Sequence, residues 1–242
     1  SEYQTTHIAA YGEISVDTSD ALNITVGVRV EDFEGDYNDD RNESSSPSET
    51  LWGGHISANY QLNNELSLFS RLSKGFKAAG VNSENSNVIP EKNSTYDTES
   101  LYNAEIGANF GSVDGSLVGQ ITAFYQERHD AQIKQSLALS QANNGSCPCD
   151  FEDFTDNANG TEHSGIEIEG RYQLTNSFKL FASAGYLKAE FSDYIRISEG
   201  LDDQVFSDNQ NGRQVANAPE YQFALGSEWR ISENLSWWTQ LE

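Results

Sequence analysis

Methionine is absent from this 242-residue chain, cysteine occurs twice and proline four times. With no methionine even at position 1 and no signal peptide, the sequence reads as a segment processed or excised from a longer protein. The two cysteines, Cys147 and Cys149, flank Pro148 in a polar stretch. Two are too few for a disulfide scaffold, and a CxC pair lacks the second ligand pair that a zinc site needs, so a local loop disulfide and two free thiols both stay open. No apolar run approaches the roughly 18 residues of a membrane-spanning helix. Basic residues are scarce too: 14 Lys and Arg against 38 Asp and Glu give a net charge of −24, which disfavours nucleic acid as a partner. No nucleophile-elbow, zinc-protease, P-loop or dinucleotide fingerprint occurs. Neither an enzyme nor a cofactor is expected. The four histidines, His7, His55, His129 and His163, are dispersed and form no ligand set.

What is present is alternation. Ile8, Ala10, Ile14 and Val16 alternate with His7, Tyr11, Glu13 and Ser15, and after a turn at 17–20 Leu22, Ile24, Val26, Val28 and Val30 alternate with Asn23, Thr25, Gly27, Arg29 and Glu31. This period of two marks antiparallel strands with one apolar and one polar face. The pattern returns over 51–62, 65–76, 101–110, 117–125, 161–174, 178–191, 219–231 and from 235 onward, so about ten strands are expected. Their connections alternate between a few residues and long polar stretches near 34–50, 77–100, 137–160 and 192–216. Strands of this length, with short turns on one side and long loops on the other, predict an all-β, antiparallel transmembrane β-barrel segment. The polar face, with Arg29, Glu105, Glu167, Glu169, Arg171, Glu228 and Arg230, suits a wide wet lumen. Aromatics near the strand ends, among them Trp52, Tyr60, Tyr102, Phe110, Tyr172 and Trp229, suit interfacial girdles.

One stretch, SRLSKGFKAAGVN at 70–82, leaves its strand through a basic and aromatic collar. Arg71, Lys74 and Lys77 stand there within seven positions of a very acidic chain. This stretch resembles the SRGFKAGGVN-type segment of TonB-dependent outer-membrane receptors. Further landmarks resemble the family in the same order: Pro90-Glu91, Glu105-Ile106-Gly107, Ala123-Phe124-Tyr125, Asp130-Ala131-Gln132-Ile133, Asn157-Ala158, Gly165-Ile166-Glu167-Ile168-Glu169, Gly185-Tyr186-Leu187-Lys188-Ala189 and Asn217-Ala218-Pro219-Glu220. The resemblance spans about residues 50–231; Arg71-Leu72-Ser73 departs from the commoner Arg-Gly spacing, and His129 replaces the usual aromatic before Asp130.

The resemblance implies a twenty-two-stranded barrel in the bacterial outer membrane, holding an N-terminal plug and importing a ferric siderophore or similar large chelate. It also implies a TonB complex engaged through the plug, and contact with outer-membrane lipid and lipopolysaccharide. Residues 1–242 are then expected to be part of a single barrel domain, without plug or final strands. The FRAP and NPNL segments of haem receptors are absent, so haem is not implied. If a ligand is bound, Arg71, Lys74 and Lys77 are the candidates to face it; they equally suit lipopolysaccharide anchoring or loop ion pairs. Two other readings stay open at this level: a passive porin-like channel, and a soluble or surface β-sandwich adhesin that turns its apolar face inward.

Overall fold

The computed structural model of the protein describes residues 2–38, 44–82, 93–138, 151–199 and 205–242. β1 (Glu2–Asp17) and β2 (Leu22–Asn38) form the first hairpin, and the two-residue β3 (Ser44–Ser45) pairs with β2. β4 (Ser48–Asn63) and β5 (Leu66–Lys77) form the second, and the short β6 (Gly80–Val81) and β7 (Thr95–Tyr96) pair with each other above it. β8 (Glu99–Gly111), β9 (Leu117–Ala138), β10 (Phe151–Thr175) and β11 (Phe178–Asp193) continue the sheet. A small hairpin, β12 (Ile195–Glu199) and β13 (Val205–Asn209), precedes β14 (Tyr221–Ser232) and β15 (Leu235–Leu241). The main sheet runs β1-β2-β4-β5-β8-β9-β10-β11-β14-β15, every neighbour antiparallel, which is the expected ten-strand meander. Among the described residues β1 and β15 do not pair, so the sheet is open.

The short turns carry their own chemistry. Between β8 and β9 the Asp114 carboxylate accepts from the Ser112 hydroxyl at 2.5 Å and the Ser116 amide at 3.0 Å, while Gly115 takes φ 71°, a left-handed conformation suited to glycine. These bonds hold the Asp114 carboxyl down to about 2 from its ordinary 3.8. Between β1 and β2 the Thr18 and Ser19 amides both turn back to the Leu22 carbonyl.

Register places whole rows of side chains on one face. Ile24, Ala58, Ser70, Ile106, Ala123, Ile166, Tyr186 and Tyr221 are successive cross-strand partners, and the apolar rows above and below run parallel to them. Among the described residues no second layer covers this face: Ile8 is 70% exposed, Ile106 65% and Phe223 66%. A packed sandwich would bury it; a contiguous exposed apolar face of this extent marks an interaction surface. The opposite face is polar, and on it Phe69 and Phe181 lie over glycines of the adjoining strand. A Cβ on Gly107 would sit 2.4 Å from Phe69 Cζ, and one on Gly226 2.2 Å from Phe181 Cε2. Glycine at these two positions lets the rings lie flat on the sheet.

The buried residues collect at the long-loop end, not in the middle of the sheet. Ala131, Ala158 and Tyr194 pack together with Ile133 and Phe191, and Phe33, Tyr37 and Leu51 are buried at the same end of β2 and β4. The strands reach further into this region than alternation predicts. β2 continues to Asn38, β9 to Ala138, and β10 begins at Phe151, where a long loop is expected from the sequence. Outside a bilayer both faces of a strand can be polar, so backbone pairing persists without the period-two signature that reveals it in sequence.

Candidate functional site

The basic collar of β5 divides between the two faces. Arg71, Ser73, Gly75 and Lys77 share the polar face with Glu105, Asn103, Leu101 and Glu99, their cross-strand partners on β8. Lys74 stands on the apolar face, where its ammonium lies 3.8 Å from the centroid of the Trp52 ring and 5.9 Å from that of Tyr102. The three residues expected to face one ligand are therefore not one site. Arg71 and Lys77 look to the lumen side, and Lys74 looks the other way, as strand alternation requires. Cys147 and Cys149 lie outside the described residues, as do Pro90-Glu91.

The polar face carries two hollows of opposite character. One, of ≈ 740 Å³, lies over β9–β14 and is lined by Gln120, Thr122, Glu167, Glu169, Ser183 and Gln222. The other, of ≈ 680 Å³, lies towards the long-loop end over Gly27, Gly53 and Gly75, with Tyr11, Glu13, Arg29, His55 and Arg71 around it. The His55 ring lies over Gly27, where a Cβ would meet it at 2.5 Å, and two guanidinium groups stand at the walls. His55 Nε2 lies 3.4 Å from a Glu13 carboxylate oxygen, and Arg29 and His7 both engage Glu31, the latter at 2.7 Å. Arg71 makes no ion pair among the described residues, although Glu105 is directly across from it; Glu105 accepts from Asn103 Nδ2 at 2.7 Å. This hollow can hold a large polar or anionic molecule by charge and stacking rather than by chemistry on it. No group of three or more potential metal ligands occurs among the described residues.

Above the hollow, side-chain amides sew the loops together. Asn82 accepts from the Thr155 amide at 2.8 Å and donates to the Thr155 carbonyl at 2.7 Å, pairing with β10 as a strand residue would. Asn157 does the same with Asp97, accepting from its amide at 2.7 Å and donating to its carbonyl at 3.1 Å, and it also donates to the Asp130 carbonyl at 2.6 Å. Gln132 donates to the carbonyls of Ala78 at 2.8 Å and Asp97 at 3.0 Å. Asp130, at φ 53°, marks the irregularity where β9 and β10 enter this cap.

One buried ion pair anchors the assembly. Glu99 takes a two-pronged contact from Arg128, 2.7 Å to Nε and 2.8 Å to Nη2, and accepts from the Gln132 amide at 2.8 Å. Burial alone would raise the Glu99 carboxyl, but the Arg128 and Gln132 hydrogen bonds, with Lys77 nearby, hold it below its ordinary value. Tyr194 closes the packing from the next loop. Burial and the Asp156 carboxylate push its phenol up to about 12, and Gln135 donates to its hydroxyl oxygen.

Sequence reasoning overlooked these residues as a group. Asn82, Gln132 and Asn157 all fall inside stretches singled out as landmarks, so their positions were visible, but their role as backbone mimics was not. Glu99 and Arg128 left no signal, being 29 positions apart with no shared motif.

Comparison with known proteins gives a consistent result. The sequence model of the family described as "TonB dependent receptor-like, beta-barrel" matches residues 1–241. The pesticin receptor of Yersinia pestis is 21% identical over 204 residues, covering 80% of this chain and 27% of that protein. The siderophore receptor PiuA of Acinetobacter baumannii superposes with a TM-score of 0.74 at 16% identity, over 98% of this chain and 33% of its own. The ferric yersiniabactin uptake receptor FyuA of Yersinia pestis gives a TM-score of 0.66 at 18% identity, over 96% of this chain and 32% of its own. The chain thus spans about a third or less of the length of each.

Proposed function

Because this chain belongs to the TonB-dependent receptor β-barrel family, we propose that it is part of a single barrel domain in a bacterial outer membrane and forms one wall of an importer for a ferric siderophore or similar iron chelate. Its role is to bind and pass the ligand, not to transform it. The observation that carries this reading is the two-faced sheet: an uncovered apolar face for lipid and, opposite it, a polar face whose outer hollow is walled by Arg29 and Arg71. The ligand class is supported by the siderophore and ferric-yersiniabactin receptors that share the fold. Ferric chelates of the anionic kind are drawn to the Arg71 guanidinium, which has no ion pair among the described residues, by local electrostatics that must outweigh the repulsion of a chain carrying a net charge of −24. The importer works with the inner-membrane TonB complex through a plug, and meets lipopolysaccharide on its outer rim.

The experiment is uptake of radiolabelled iron by cells with and without the gene encoding the complete protein, under iron restriction, across a panel of ferric siderophores. Loss of uptake for one chelate in the deletion strain, and equal loss when TonB is removed, is the expected result. Unchanged uptake of every chelate, or diffusive permeation indifferent to TonB, would overturn it in favour of a passive channel.

A further inference from the structure

The outer hollow has little free positive charge, although two arginines stand at its walls. Arg29 is engaged by Glu31, which also takes the His7 ring at 2.7 Å. Glu13 lies 3.4 Å from His55 Nε2, and Glu105 accepts from Asn103 Nδ2 at 2.7 Å. Leaving the histidines aside, the two guanidinium groups therefore meet three carboxylates in and around the hollow, and each carboxylate already has a partner. The Arg71 guanidinium has none: it makes neither an ion pair nor a hydrogen bond among the described residues, even with Glu105 directly across from it. The other two cations of the collar add nothing here. Lys74 stands on the opposite face against Trp52, and Lys77 lies across from Glu99, outside the hollow.

The side chains nearest Arg71 in register are mostly neutral. Ser57 is its partner on β4 and Thr25 follows on β2, while Ser73, two residues on, faces His55. One row towards the turns, Asn23, Asn59 and Phe69 lie in line. Arg71, Asn59 and Tyr11 are all exposed on the polar face, so a ligand in the lumen can reach them. Hydroxyls and amides hydrogen-bond to uncharged carbonyl and hydroxyl groups but cannot neutralise an anion. One free, planar guanidinium matches one carboxylate through two parallel N–H donors.

We propose that this hollow selects ferric chelates of low charge, which present a single carboxylate to Arg71 and neutral hydroxamate or amide groups to the hydroxyls around it, and that it excludes trianionic tris-catecholates. The inference rests on the import reading and narrows it. A second and a third negative charge would lie among Glu13, Glu31 and Glu105 with no further free cation in the hollow among the described residues, in a chain whose net charge is already −24.

The test is equilibrium binding of ferric chelates to the complete receptor at low ionic strength, read by quenching of tryptophan fluorescence. The probes are N-acetyl-ferrioxamine B, which is neutral, N-succinyl-ferrioxamine B, which adds one carboxylate to the same hydroxamate body, and ferric enterobactin, a trianionic tris-catecholate. The succinyl form should bind about fivefold more tightly than the acetyl form, the scale of one exposed ion pair. It should bind about tenfold more tightly than ferric enterobactin, and both margins should narrow as salt is added. Arg71→Gln should abolish the succinyl preference, Arg71→Lys should keep most of it, and Arg171→Gln, on the same face near the turns, should leave it unchanged. Ferric enterobactin binding as tightly as the succinyl form, equal binding of the two hydroxamates, or a succinyl preference that survives Arg71→Gln would overturn the charge selection and leave the importer standing. Binding of none of the three would also overturn it, whereas unchanged uptake across the whole siderophore panel in the deletion strain would sink the import reading itself.

Discussion

Replacing Ile106 by arginine places the two-faced reading under direct strain. Ile106 lies in the middle row of β8, between Ser70 and Ala123, and is 65% exposed on the apolar face. In a bilayer this position sits near the midplane, where an arginine on the lipid side of a β-barrel costs about 2–4 kcal/mol. That is roughly a 30- to 700-fold fall in the folded-to-unfolded ratio. The matched control is Asn59→Arg on β4. Asn59 is exposed on the polar face, pairs with Asn23 and Phe69, and borders the same middle rows. An arginine there stays in water, adds a cation to an acidic chain, and should change stability by no more than about 0.5 kcal/mol. The assay is reversible urea unfolding of the complete receptor in lipid vesicles, followed by tryptophan fluorescence. Equal destabilisation by both variants, or a larger effect at Asn59, would refute the assignment of faces. An Ile106→Arg protein as stable as wild type would refute lipid contact at this row.

The other predictions concern the cap and the turns. Glu99→Ala strands Arg128 and the Gln132 amide, and should destabilise the cap locally by about 1.5–3 kcal/mol, read as faster hydrogen exchange over 128–134. Asn82→Ala removes both bonds to Thr155 and should cost about 1–2 kcal/mol of local protection; Asn82→Asp keeps the acceptor for the Thr155 amide and should recover part of it, both visible as exchange at Thr155. Acid should act on the cap through Glu99: its carboxyl is lower in the folded state, so the stability it contributes is present above the ordinary glutamate range and is lost as pH falls through the lowered value. The Glu99→Gln protein should show a flatter acid limb when exchange over 128–134 is followed against pH. At the β8–β9 turn, carbon-13 titration of Asp114 should give a midpoint near about 2, returning towards 3.8 when Ser112 is replaced by alanine.

Much of the fold could be read from residue order. Alternation over Leu22 to Val30 and over Tyr102 to Phe110 decides which residues share a face, because a strand turns successive side chains to opposite sides whatever its neighbours are. The contrast of tight turns such as 112–116 with long polar stretches is likewise local, and it yields the hairpin order found in the sheet. The same rule, applied strictly to β5, already separates Lys74 from Arg71 and Lys77; grouping them by nearness in sequence is what went wrong.

Tertiary structure alone decided the rest. That Glu99 meets Arg128, that Asn82 reads Thr155 across 73 positions, and that Ala131, Ala158 and Tyr194 form a buried cluster depend on how three loops fold onto one another. Side-chain amides and carboxylates have no periodic preference that would reveal such partners in advance. The cage around Lys74 is of the same kind: Trp52, Lys74 and Tyr102 come from three strands, and only the register between them brings the cation over the ring. Alternation is set by the backbone of each strand, and so belongs to the sequence; register and loop packing are set by contacts between strands, and so belong to the fold.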